Sequence, residues 1–137
     1  MDDLDREILD ILRRDARTPY TEIAARVGTS EGTIRNRVDA LVESGVIERF
    51  TVATRTGNVK AMIELSVDVN VHTGRVAAQL AEWEQVDLVW QVSGEEDIAL
   101  VVDIADTEGL NSLITQARDI DEVVSTKTRL ILEERYA

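Results

Sequence analysis

Arg35, Asn36 and Arg37 stand in a row inside Thr29–Val38, TSEGTIRNRV. An Asn amide can pair with adenine, and a guanidinium can read guanine or hold a phosphate. Just ahead, Ser30 and Thr33 supply hydroxyls and Gly32 a position with no side chain. Ser30 can cap a helix while facing a phosphate at that helix end, with Thr29 as an alternative cap. Gly32 costs about 1 kcal/mol of helix propensity relative to Ala, which close approach to a DNA backbone or fraying of the helix end would explain. The plainer reading pairs Arg35 and Arg37 with Asp39 or Glu31 on a solvated face. A second cluster, Ser93-Gly94-Glu95-Glu96-Asp97, can line a small-molecule pocket or form an acidic surface turn. Of these residues, Gly94 and Asp97 are the pocket candidates, and Glu95 and Glu96 are expected in solvent. Thr126 and Thr128 are two residues apart, so they share one strand face and offer hydroxyls to a ligand or serve as β-branched filler.

The first group needs a helix-turn-helix to present it, and Tyr20–Ile47 has that pattern. Ile23, Ala24 and Val27 form one apolar face that stops at Gly28. A second face at Ile34, Val38, Leu41 and Val42 stops at Gly45. Both follow a period of about 3.6, and each Gly suits the left-handed turn that ends a helix. With that stripe inward, Gly32, Thr33, Asn36 and Ala40 point outward, flanked by Arg35 and Arg37. A polar second helix after a tight turn is how a protein presents a helix to the major groove. A preceding helix, about Asp3–Arg14, buries Leu4, Ile8, Ile11 and Leu12 and keeps Asp5, Glu7 and Asp10 wet. Pro19 marks the break between these helices. Val46–Ala53 alternates and reads as a strand or wing, and Thr54–Asn58 as a hinge.

The charge opposes this picture at first sight. The chain of 137 residues has net charge −12, against the usual basic footprint of a DNA-binding protein. The acids are segregated, however. Residues 1–57 hold 9 Arg and 11 acids, net −2, and residues 58–137 hold 6 bases and 16 acids, net −10. Among 15 bases 13 are Arg, and with abundant Asp, Glu, Thr and Val this resembles proteins of salt-loving archaea. At molar salt the Debye length is about 3 Å, so an acidic protein can still approach DNA. With no Cys and one His, disulfides, thiolate zinc sites, His-rich metal sites and a Ser-His-Asp triad are set aside. No catalytic residue, metal or cofactor is expected. No membrane-spanning run or signal peptide is read, so a cytoplasmic protein is expected.

The second half alternates strand and helix patterns: Ala61–Val71, Thr73–Glu84 opening at Thr73-Gly74, Val86–Val92, Ile98–Ile104, Thr107–Arg118 capped by Thr107, and Val123–Glu133. The order β-α-β-β-α-β is ferredoxin-like. Its open sheet face must be covered, and a second copy is the expected cover. Trp83 and Trp90 belong to the core or to that interface, and His72 to the surface. Asp103 and Asp106 could meet a cation, a weak signal in so acidic a chain.

With both halves in order, the whole chain resembles the Lrp/AsnC family of transcription regulators. Leu4-Asp5-Arg6-Glu7-Ile8-Leu9 is similar to the family's opening "LD..D..IL" helix. Thr29–Val38 with Leu41, Gly45 and Ile47 resembles its "S...V..R...L...G.I" recognition helix. Val92–Ile98 is similar to the "G..D" turn of its sensing half, and Ser125-Thr126-Lys127-Thr128 to its closing "T.T" strand. The resemblance implies an α+β chain with an N-terminal winged helix-turn-helix (1–53), a hinge (54–59) and a C-terminal ferredoxin-like βαββαβ sensing domain (60–137). It implies a sequence-specific regulator of double-stranded DNA that dimerises through the sensing half and often assembles into tetramers or octamers. An amino acid or related small molecule would bind between sensing domains. Ser30, Gly32, Thr33, Arg35, Asn36 and Arg37 then face DNA, and Ser93, Gly94, Asp97, Thr126 and Thr128 face the effector. One departure is the connection Arg49–Asn58, shorter than the family's usual strand and hinge.

Two other readings share this architecture. Sirohaem decarboxylases are similar enzymes acting on a carboxylate-rich tetrapyrrole with His and basic side chains, which one His and an acidic half serve poorly. A sensor that has lost DNA binding and works by co-assembly would have no use for the polar helix face at Arg35–Arg37.

Overall fold

The computed structural model describes residues 1–137, which divide into two compact units, Met1–Thr54 and Arg55–Ala137. In the first, α1 (Asp3–Arg14), α2 (Tyr20–Val27) and α3 (Glu31–Glu43) close around Ile8, Leu12, Ile23, Ala24, Ile34 and Val38. Asp2 opens α1 with a reciprocal cap. Its carboxylate accepts from the Asp5 N–H at 3.0 Å, and the Asp5 carboxylate accepts from the Asp2 N–H at 3.0 Å. Two of the donors that every helix N-terminus leaves unpaired are thereby satisfied. Asp5, expected on the wet side, is buried as a result. Pro19 precedes α2, and Gly28, at φ +75°, ends it in the left-handed region that glycine adopts without strain.

Two expectations for this unit fail. Val42 is exposed, because α3 buries only the narrow stripe Ile34, Val38 and Leu41. Val46–Ala53 forms no strand. Alternation alone cannot make one, since its backbone finds no antiparallel neighbour in this unit, and Val46, Phe50 and Val52 lie exposed. Ile47 is held to the end of α3, its N–H donating to the Leu41 carbonyl at 2.9 Å.

The second unit runs β1 (Val59–Val67), α4 (Thr73–Ala81), β2 (Val86–Gln91), β3 (Ile98–Ile104), α5 (Thr107–Arg118) and β4 (Val123–Leu130). The strands form one antiparallel sheet in the order β2-β3-β1-β4. Alternate residues of β1 and β3 (Ala61, Ile63, Leu65, Ile98, Leu100, Val102) are buried with Val76 and Leu80 of α4 and Leu110 and Leu113 of α5. This core shares no residue with that of the first unit.

Several ends differ from expectation, with β2 ending at Gln91 and not Val92 and β4 at Leu130 and not Glu133. β1 stops at Val67, where the register shifts and Asp68–Val71 turns through a Val71 N–H to Asp68 carbonyl bond. α4 stops at Ala81, and Trp83 folds back against the core. Asp106, not Thr107, caps α5, accepting from the Gly109 N–H at 2.7 Å.

The opposite sheet face carries no helix. Register places Leu88, Val101, Met62 and Arg129 in one row and Trp90, Ala99, Glu64 and Lys127 in the next. Leu88 and Trp90 are each about two-fifths exposed, an apolar edge facing a basic one. No helix of the chain is long and apolar enough to cross a membrane.

Candidate functional site

The helix-turn-helix presents α3 with its polar side outward. Ser30 caps it, accepting from the Thr33 N–H at 3.2 Å and sharing a 2.9 Å hydroxyl contact with Thr33. Gly32 and Asn36 are exposed, and Asn36 forms no side-chain hydrogen bond. A Cβ on Gly32 would meet nothing within 4 Å of the protein, so internal packing does not call for glycine there. Arg35 pairs with Glu31 at 2.8 Å and lies 5.2 Å over the Tyr20 ring. That pair is exposed on both sides, the kind worth well under about 1 kcal/mol and readily exchanged for another anion. Arg37 is placed differently: its Nη1 donates to Asp2 at 2.5 Å and to Asp5 at 3.2 Å, at the start of α1. Neither Arg pairs with Asp39. The Asp5 N–H, then the Arg37 guanidinium, hold the Asp2 carboxyl down to about 2.

The acidic turn of the second unit is built on Asp97. Its carboxylate accepts from the Val67 N–H at 2.9 Å, its N–H donates to the Leu65 carbonyl at 2.8 Å, and its carbonyl accepts from the Val92 N–H. Asp97 therefore anchors the turn to β1 through backbone groups. Gly94 sits at φ +128°, a conformation side chains resist, so the turn depends on glycine there. Ser93 is exposed at its tip. Glu96 is half-buried and pairs with Lys127 at 2.6 Å, raising the Lys127 ammonium above its ordinary range.

Thr126 and Thr128 stand opposite Leu65 and Ile63, on the helix-covered side of β4 and thus the reverse side from Lys127. The Arg118 Nε donates to the Thr126 hydroxyl at 3.1 Å beside a cleft of about 420 Å³ lined also by Val123, Val124 and Ser125. The sequence reading missed Lys127 and Arg118. Two-residue alternation would have put Lys127 on the open face beside the turn, whereas nothing local pairs Arg118 with β4. The Asp103–Asp106 pair is otherwise engaged, Asp103 accepting from Asn58 Nδ2 at 2.7 Å and Asp106 capping α5. No group of three or more His, Asp or Glu gathers as a metal cluster.

Comparison with known proteins matches one domain type within each unit. Residues 1–42 match the AsnC-type helix-turn-helix domain and residues 60–137 the Lrp/AsnC ligand binding domain. The HTH-type transcriptional regulator LrpA of Pyrococcus horikoshii is 36% identical over 138 residues, covering 98% of each chain. The HTH-type transcriptional regulator LysM of Saccharolobus solfataricus is 33% identical over 133 residues, covering 96% of this chain and 94% of that one. The crystal structure of the Mycobacterium tuberculosis leucine response regulatory protein superposes with a TM-score of 0.86 at 27% identity, covering 100% of this chain and 96% of the other. A DNA-binding domain of one recognised type, joined to a ligand-binding domain of the same family across almost the full length, leaves one assignment: the chain belongs to the Lrp/AsnC family of transcription regulators.

Proposed function

We propose that the chain reads double-stranded DNA through Ser30, Gly32, Thr33, Arg35 and Asn36, and that an amino-acid effector tunes this activity from the sensing half. The observation carrying the first part is the outer face of α3, where an unbonded Asn36 amide stands beside a loosely held Arg35. Two copies would set their α3 helices in successive major grooves, about 34 Å apart, on a roughly symmetric site. A homodimer is supported by the helix-free sheet face with Leu88 and Trp90 exposed, because large uncovered apolar patches mark interaction surfaces. Tetramers or octamers would extend it.

The effector would meet the turn at Ser93, Gly94 and Asp97, while Thr126 and Thr128, on the helix-covered side of β4, would offer their hydroxyls from the reverse side of the sheet. Support for an amino acid comes from the named leucine response of the Mycobacterium tuberculosis relative. Asp97 would contribute by shaping the turn. The acid-rich, Lys-poor composition supports a host with a salt-rich cytoplasm, haloarchaeal in kind, although the relatives described above come from other organisms.

Selection of duplex DNA in about 2 M KCl, where screening is strong, tests the reading with the intact chain against an Arg35→Ala, Asn36→Ala variant. Enrichment of a short symmetric site by the intact chain alone is the expected result. Equal enrichment by both would move DNA reading off this face of α3.

A further inference from the structure

We propose that Arg37 is a positioning residue, which ties the reading helix to the start of α1 through Asp2 and Asp5 and itself makes no DNA contact. This rests on the DNA-binding reading above. The three residues are brought together across 35 and 32 positions of sequence, with Nη1 of Arg37 at 2.5 Å from Asp2 and 3.2 Å from Asp5.

Both acceptors are also held independently of Arg37, because each accepts the other's backbone N–H in the α1 cap. Swinging Arg37 away to a phosphate would leave the Asp5 carboxylate, with its side chain only 11% exposed, without its cation. An unpaired buried charge is the costly outcome of breaking such a contact. Arg35 has no such constraint, since its Glu31 partner is 48% exposed. The tie also has a mechanical reason to exist. α3 is anchored by only Ile34, Val38 and Leu41, a narrow stripe that leaves rotation about the helix axis weakly fixed. Arg37, on the flank of that stripe, fixes the rotation and so decides which side chains face outward.

Arg37→Gln, Asp5→Asn and the double variant of the full chain would be compared on the selected duplex and a scrambled one by fluorescence anisotropy across a salt series. The expected result is a fall of about tenfold or more in the selected-to-scrambled affinity ratio for each single variant. The double variant should lose no more than either, and the slope of log affinity against log salt should stay unchanged. Should either fail to fold, Asp2→Asn, at an exposed carboxylate, should give a smaller fall in the ratio at the same slope. A slope reduced by about 0.9 in Arg37→Gln, the mark of one lost phosphate contact, with a normal ratio for Asp5→Asn, would overturn the inference. So would variants that melt earlier yet keep the intact ratio, which describes a merely structural pair. An intact chain that binds no duplex would overturn the DNA reading and this inference with it.

Discussion

The carboxylate of Asp97 accepts the backbone N–H of Val67 at 2.9 Å, joining the acidic turn to the end of β1 across 30 residues of chain. Val67 is where the β1–β4 register shifts, so this N–H is served by a side chain. Asp97→Ala leaves it unsatisfied and should destabilise the second unit by about 1–3 kcal/mol. Urea unfolding without any effector checks this. An unchanged midpoint would mean that Asp97 serves a ligand only.

Gly32 lies in the first turn of α3 with open space where a Cβ would be. Gly32→Ala should raise helix stability by up to about 1 kcal/mol while weakening operator binding, if the DNA backbone passes close by. Thermal melting and anisotropy on the same sample separate the two effects. A raised melting temperature with intact binding removes Gly32 from the interface.

Asp2 has its folded pKa depressed to about 2 from 3.8, first by the Asp5 N–H and then by Arg37. A depressed acid contributes stability that is fully present above the unfolded value and is lost as pH falls through the folded one. The first unit should therefore lose this contribution between about pH 4 and pH 2. Asp2→Asn should melt earlier than the intact chain at neutral pH, with the two profiles converging below that window. A constant gap down to the lowest pH would exclude Asp2 as the titrating group.

Trp90 sits on the helix-free sheet face, about two-fifths exposed and in one row with Glu64 and Lys127. Trp90→Lys should shift the sedimentation of the chain toward the monomer and leave its circular dichroism unchanged. A variant that sediments like the intact chain would place the subunit interface elsewhere.

With net charge −10 across residues 58–137, the second unit should unfold more readily as KCl falls from about 2 M to about 0.1 M, because screening of its self-repulsion is lost. Fluorescence of its two Trp residues, Trp83 and Trp90, follows this directly. Equal stability at both salts would remove the halophile reading.

Much of the fold was legible wherever a local period decided it. α1, α3, β3 and α5 follow from apolar spacing, α3 also from its Ser30 cap, and the strand character of β1 follows from its strict alternation. What escaped depends on partners far along the chain. Val46–Ala53 has the alternation of a strand but no neighbour to pair with in its unit. Asp5 looks wet on a helical wheel, yet is buried between its capping bond to Asp2 and Arg37, 32 residues away. On the site, the outward direction of Asn36 could be read at 100° per residue. The distinct bonding of Arg35 and Arg37 could not, because two neighbouring guanidinium groups look alike until their acceptors are known.

The two hydrophobic cores have no residue in common. For a lineage of such regulators this loosens the usual tie between innovation and loss. A substitution that re-aims α3 at a new operator meets the packing around Ile8, Ile23 and Ile34 and the tie of Arg37 to Asp2 and Asp5. A change that retunes the sensing sheet meets a separate core around Ile63, Leu65 and Leu100. Gene duplicates can thus exchange one specificity while inheriting the other intact, and a regulatory network can be rewired at its inputs or its outputs one at a time.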